Sequence, residues 1–257
     1  MNPAGWAAAV AVLLFFAMVV CLEIGYRSGR RNSKNPDLAH EGTGAIEAAV
    51  FALLGLLLGF SFAGGTSRLD SRRQLIIQEA NAIGTAYLRL DTLAAGDQPA
   101  MWRSFREYLD ARLRVYQKLP DLKAAEQELA GATKIQQSIW SQAMISSRTD
   151  PTQTAARLLL PALNDMIDVT TSRTVALYTH LPMLIFALLI TVALLSGLLA
   201  GYAMAKRRSR SWLHMLVYAL VVASTIYAVV DLDYPRSGLI RLDAADTALL
   251  QLRDSIR

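Results

Sequence analysis

The sequence predicts an all-α membrane protein: four transmembrane helices in two hairpins, joined by a helical bundle outside the bilayer. Three observations predict it. Of 257 residues, 53% are apolar and only 18% charged, with a mean hydropathy of +0.30, against about 25% charge in average soluble domains. The charge is missing in four runs: Met1 to Leu22, Ala48 to Ser67, Thr174 to Ala205 and Ser211 to Val230. A helix needs about 20 mostly apolar residues to cross a bilayer. Between the second and third runs, apolar residues recur at helical spacing, and no stretch alternates with a period of two.

The runs place spans near 4–23, 45–64, 183–204 and 211–230. The first is read as a retained helix. A signal peptide carries its basic residues before the apolar core, whereas Arg27, Arg30, Arg31 and Lys34 follow it here. The predicted domains are an N-terminal hairpin (1–64), a helical bundle (65–180), a second hairpin (181–230) and a C-terminal tail (231–257).

Four helices are predicted in the bundle. The first, about 66–93, continues the second span; Leu69, Ile76, Ile83 and Leu90 repeat at sevens and so share a face. Gly96-Asp97-Gln98-Pro99 breaks it. The second covers 99–118, with a stripe of Trp102, Phe105, Leu109, Leu113 and Tyr116, and Pro120 ends it. The third covers 121–148 and stops at Asp150-Pro151. The fourth starts near Thr152 and runs on toward the third span, with kinks at Pro161 and Pro182.

The net charge of +5 and the pI of about 9.5 invite a nucleic-acid reading, but the placement of the charge excludes it. Basic residues gather at membrane edges rather than among aromatics on one face. The loop after the first span sets Arg27, Arg30, Arg31 and Lys34 against Asp37 and Glu41. The turn between the last two spans holds Lys206, Arg207, Arg208 and Arg210 and no acid. The positive-inside rule puts both loops in the cytoplasm, and the bundle, N-terminus and tail on the opposite side. Arg68, Arg72 and Arg73, beside the second span, pull the other way.

Candidate sites are few. Gly55/Gly59 and Gly197/Gly201 are GxxxG pairs that let helix backbones approach closely, within one chain or between chains. Arg68, Arg72 and Arg73 have two readings. They form a basic pore mouth that attracts anions, or they anchor on headgroups, or Arg72 or Arg73 pairs with Asp70 or Glu79. Glu79, Asn81 and Thr85 read as polar packing contacts. Asp231 and Asp233 either begin a calcium clasp, which needs about six to eight oxygen ligands, or end a helix and pair with Arg236 or Arg241; the composition favours the turn. His40, His180 and His214 are scattered, and no metalloprotease, phosphate-loop or nucleophile-elbow pattern is present. The single cysteine, Cys21, excludes an internal disulfide and a thiolate metal cluster. The sequence therefore predicts no enzyme, no metal and no cofactor.

Residues 54–73, Leu-Gly-Leu-Leu-Leu-Gly-Phe-Ser-Phe-Ala-Gly-Gly-Thr-Ser-Arg-Leu-Asp-Ser-Arg-Arg, resemble the pore helix of bestrophins. The stretch from Glu79 to Arg89 and the tail Asp-Tyr-Pro-Arg-Ser-Gly are similar to bacterial bestrophin-like membrane proteins, a group defined by a domain of unknown function. That closer similarity covers most of the chain. The resemblance implies a homo-oligomeric, in bestrophins pentameric, ion channel, many relatives passing chloride, with the second helix lining an apolar neck. It carries the neck onto Ala52, Leu56 and Phe60, and the basic positions that follow onto Arg68 and Arg73. Ser61 stands where bacterial bestrophins usually have Arg, Ala52 is small for a neck, and the tail lacks the acidic run of the animal calcium clasp. Bestrophins keep both termini and the helical domain in the cytosol, opposite to the arrangement the loop charges favour.

Two functions follow. One is an oligomeric channel, with Leu56 and Phe60 as a dewetting constriction and the arginines favouring inorganic anions. The other is a non-conducting scaffold or sensor whose bundle binds a partner or ligand. An intramembrane enzyme has no residue constellation behind it. The expected partners are membrane lipids and further copies of the chain, with no nucleic acid, and the expected location is the bacterial inner membrane, crossed several times.

Overall fold

The computed structural model describes residues 3–32, 43–119, 121–205, 211–235, 238–240 and 242–256. Among them all regular structure is helical: α1 (Pro3–Asn32), α2 (Thr43–Leu88) with a 3-10 turn at Arg89–Thr92, α3 (Gln98–Lys118), α4 (Leu122–Thr149), α5 (Thr154–Tyr178), α6 (Met183–Ala205), α7 (Trp212–Asp233) and α8 (Asp243–Ser255). Four stretches of the described residues are long and apolar enough to cross a membrane: Gly5–Asn32 in α1, Gly44–Thr92 over α2 and its 3-10 turn, Thr154–Ala205 over α5 and α6, and Trp212–Asp233 in α7. Lys34, Asp37, His40, Glu41, Pro120, the basic turn Lys206–Arg210, Arg236 and Arg241 lie outside the described residues. The chain divides into two compact units, Met1–Leu69 with His180–Ile240, and Asp70–Thr179 with Arg241–Arg257.

In the first unit the tightest pairing is between α1 and α6. Met18 and Cys21 meet Gly197, Leu22 meets Gly201, and Gly25 and Gly29 meet Leu198, Tyr202 and Ala205. Positions rise together along both helices, so the two run parallel. A Cβ on Gly25 would strike the main-chain carbonyl of Leu198, and one on Gly201 that of Leu22. Lipid supplies no hydrophobic drive between helices, so close backbone contact at small residues does the joining. α7 runs antiparallel to α1, with Trp6 edge-on to Tyr234 at 6.2 Å between ring centroids. α2 lies beside α7 through Phe51 on Tyr218 and Gly65 on Leu232. Leu14, Met18, Leu22, Val192, Met215 and Ile226 are buried among these helices. The Tyr218 hydroxyl donates to Ser196 Oγ at 2.8 Å, which satisfies a buried polar group across α6 and α7.

The second unit packs the end of α2 with α3, α4, α5 and α8. Leu69, Ile76, Ile83 and Leu90, predicted to share a face, are all buried. Phe105, Leu109, Leu113 and Tyr116 of the predicted α3 stripe are buried as well, and Trp102 packs half-buried against the same core. Asp121 starts α4 by accepting from Ala124 N at 3.2 Å, an N-cap that satisfies an otherwise orphaned donor. α5 is capped by Gln153, whose side chain makes no cap bond; Asp150, ahead of it, accepts from Ala155 N in the first turn at 3.1 Å.

Two expectations need correction. The fourth bundle helix does not run on into the third span: α5 ends at Tyr178 and α6 begins at Met183. Pro182 lacks an N–H and disfavours helix at the residue before it, so the chain breaks rather than kinks. α5 does continue through Pro161. The tail, read as one segment over 231–257, is divided. Its last part forms α8, whose Leu249 is buried in the core of the second unit. Arg253 of α8 pairs with Asp110 at 3.0 Å, and Arg106 donates to the carbonyl of Ile256 at 2.7 Å.

Candidate functional site

α2 is an unbroken helix of 46 residues, roughly 70 Å long at about 1.5 Å per residue. It holds no proline between Thr43 and Leu88, and its leucines and alanines favour helix enough to carry its glycines. Ala52, Leu56 and Phe60 stand one turn apart and are exposed; Leu56 is 54% and Phe60 68% accessible. Gly55 and Gly59 flank them. The two predicted glycine pairs differ: Gly197 and Gly201 pack against α1, whereas Gly55 and Gly59 have nothing among the described residues within 4 Å of a built Cβ. A third pair, Gly25 and Gly29, is absent from the sequence reading. Its signal was the same spacing, masked because Arg27, Arg30 and Arg31 made the segment look like loop rather than the last turns of α1.

The arginines that follow are not a group aimed at one place. Arg68 reaches Asp233 in the first unit, Nε to Oδ1, at 2.8 Å. The same carboxylate accepts from Leu181 N at 2.9 Å and lies 3.5 Å from His180 Nδ1. Arg72 is buried and donates from Nε to the carbonyl of Ala176 at 3.1 Å and from Nη2 to that of Thr179 at 2.8 Å. It thereby closes the C-terminal end of α5, where the last carbonyls lack helical partners. Arg73 is exposed and pairs with Asp70 at 3.1 Å. Of the three, only Arg73 is exposed, and its pair with Asp70 is the alternative partner the sequence offered.

Asp231 and Asp233 stand at the end of α7, as the turn reading expects. Asp233 has Arg68 as a described partner; Arg236 and Arg241 lie outside the described residues. Asp231 Oδ2 accepts from the main-chain nitrogens of Leu239 and Ile240, both at 3.0 Å, and packs against Gly238, where a Cβ would collide with Oδ1. Both carboxylates are thus engaged within this turn and its neighbours. Among the described residues no group of three or more His, Cys, Asp or Glu is placed to hold a metal ion.

The most strongly charged interior lies in the second unit. Glu79 of α2 is fully buried. Its Oε1 accepts from Arg112 Nε at 2.5 Å, and its Oε2 accepts from Arg173 Nη1 and, at 3.3 Å, from the Tyr116 hydroxyl. Arg112 also donates to the Tyr116 oxygen. The Arg173 guanidinium lies 3.5 Å from the Tyr116 ring centroid, within the range of a cation–π contact. Burial pushes the Glu79 carboxyl up, but the guanidinium groups of Arg112 and Arg173 outweigh it and hold the group below its ordinary value. Burial drives the Tyr108 phenol up to about 12 and raises Tyr116 as well, so both stay protonated and able to donate. The Tyr108 hydroxyl meets Thr170 Oγ1 at 2.9 Å. The cluster ties α2, α3 and α5 together. Glu79 reads from the sequence as a polar packing contact and Tyr116 as part of the α3 apolar stripe, while nothing there points to Arg112 or Arg173. Arg112, Arg173 and Tyr116 stand 33, 94 and 37 positions from Glu79, and no local spacing links them.

A family model described as a bestrophin-like domain matches residues 6–246. The chain is similar to a crystal structure of a bacterial bestrophin homologue from Klebsiella pneumoniae bearing one substitution, with 14% identity over 96% of this chain and 98% of that one and a TM-score of 0.69. Another crystal structure of a bacterial bestrophin homologue from the same organism gives 17% identity, coverages of 95% and 98%, and a TM-score of 0.64. A third, described only as a membrane protein, gives 16%, 95%, 98% and 0.67. At these identities the likeness is one of fold. No curated protein matches the chain.

Proposed function

The chain belongs to the bestrophin-like family, and from that premise we propose that this multi-pass membrane protein is a homo-oligomeric ion channel with α2 lining its axis. Ala52, Leu56 and Phe60 form the neck. One observation carries the reading: the side of α2 that none of its own helices covers bears both an apolar four-residue ladder and the open Gly55/Gly59 pair. Glycines of this spacing admit a neighbouring helix at close range, so copies around an axis can pack at Gly55 and Gly59 and turn the ladder inward. An apolar ring of this kind gates by excluding water. The permeant species are inorganic ions, the ring is a small closed oligomer such as a pentamer, lipids surround it, and the membrane is the bacterial inner membrane.

The test is reconstitution of the purified protein in planar bilayers. The wild type conducts, and Leu56→Ala with Phe60→Ala widens and wets the neck, raising open-state current severalfold. Absence of current in both proteins overturns the proposal.

A scaffold or sensor is favoured by a different feature. A groove of about 860 Å³ runs between α4 and α5, lined by Thr133, Gln136, Trp140, Asn164 and Thr170 among others, a size suited to a small ligand. Stoichiometry separates the two: a closed ring with α2 at its axis supports the channel, and a monomer or simple dimer supports the scaffold.

A further inference from the structure

The exposed face of α2 does not end with the neck. At about 100° per residue, Ser67, Ser71, Gln74, Gln78 and Thr85 all fall within roughly 40° of the line through Phe60 along the unbroken helix. All five are exposed. None is charged, and each carries a hydroxyl or amide able to donate and accept. The arginines fall elsewhere. Arg68 stands about 80° from that line and Arg72 about 120° on the same side, while Arg73 is about 140° away on the other. Arg68 and Arg72 are moreover engaged by Asp233 and by the end of α5, and Arg73 by Asp70.

We propose that Ser67, Ser71, Gln74, Gln78 and Thr85 line the aqueous continuation of the pathway beyond Phe60. This track is uncharged, so a passing ion of either sign keeps a hydrogen-bonded shell supplied by water, hydroxyls and amides. Discrimination between anions and cations is then weak along it and is not set by the arginine cluster. The inference rests on α2 lining the axis as proposed above. An uncharged lining is also the arrangement most easily given a sign: between Ser67 and Thr85 a single charge per copy, repeated around the axis, faces no existing charge on the same line, and a ring of like charges focuses its potential in a narrow channel.

The experiment is measurement of anion-to-cation permeability ratios, from reversal potentials in a salt gradient, for the reconstituted wild type, Gln74→Glu, Gln74→Lys, Gln78→Glu and Gln78→Lys. Arg103→Glu, an exposed change on α3, is the control for surface charge. The lysine variants raise the ratio and the glutamate variants lower it, each by roughly threefold or more, while Arg103→Glu leaves it unchanged. Conduction in the wild type with ratios that Gln74 and Gln78 do not move in opposite directions overturns the track while leaving the channel standing. A wild type that passes no current overturns the channel itself. Charged methanethiosulfonate reagents supply a second readout on Gln78→Cys in a Cys21→Ala background. Cationic and anionic reagents of equal size shift the ratio oppositely if the track is lined as proposed, and an unaltered current after complete labelling overturns it.

Discussion

In the unit containing α1, α6 and α7, the closest approaches are between main chains: Gly25 against Leu198, and Gly201 against Leu22. In the unit containing α3, α4 and α5, the ties at the centre are long side chains: Glu79 between Arg112 and Arg173, with Tyr116 under both guanidinium groups. The difference follows from the solvent each set of helices meets. Where lipid is the surrounding medium, burying a leucine gains little, and helices join through small residues and close contact. Where water surrounds the bundle, amphipathic stripes bury apolar area. A charged cluster is tolerated inside because each group finds an opposite charge and hydrogen bonds.

The comparison can be broken most forcefully at Glu79. Glu79→Gln leaves two guanidinium groups buried with their shared carboxylate gone, an effect expected at about 3–5 kcal/mol. Chemical denaturation in detergent, followed at the α3–α5 bundle, reads it; a loss below 1 kcal/mol would show that the cluster is not what ties these helices. The same group predicts a pH dependence. Its folded carboxyl is held below the ordinary value, so its contribution is complete above the unfolded pKa and is lost as pH falls through the depressed folded one. Acid titration of stability should therefore steepen below the usual carboxylate range in the wild type and less so in Glu79→Gln.

Glycine gives the next largest effect. Gly201→Val must push α6 off Leu22, and overpacking of this kind costs about 1–3 kcal/mol. Gly55→Val meets none of the described residues and leaves the melting temperature of the protomer unchanged. Thermal unfolding of both variants in detergent checks the contrast, and equal losses would erase the distinction between the two glycine pairs. The smallest effect belongs to Arg73→Ala. It removes an exposed i, i+3 pair with Asp70, and such pairs contribute about 0–1 kcal/mol.

The membrane spans were legible because charge-free runs have few other physical explanations, and the α3 stripe because its apolar residues return at helical spacing. Partners distant in sequence were not. Arg72 satisfies main-chain carbonyls at the end of α5, and a carbonyl has no residue type to announce it. The parallel seating of α1 on α6 depends on Gly25 and Gly29, which stand among arginines and so read as loop. Ala52, Leu56 and Phe60 come from resemblance, and the structure shows all three exposed on α2; where the arginines point was not legible. Three basic residues in six positions look like one patch until the helix turns them to separate partners.

The parallel seating of α1 on α6 also has a consequence in time. Gly25 has to wait for Leu198, more than 170 residues later, before its neighbour exists. At about 5–20 residues per second of synthesis, α1 stands in the bilayer for on the order of ten seconds with its glycine face open to any other helix that passes. Until then that glycine face has to be kept from the wrong helix. A mutation that slows elongation between α2 and α6 would be felt as lost yield, with no residue of the finished protein altered.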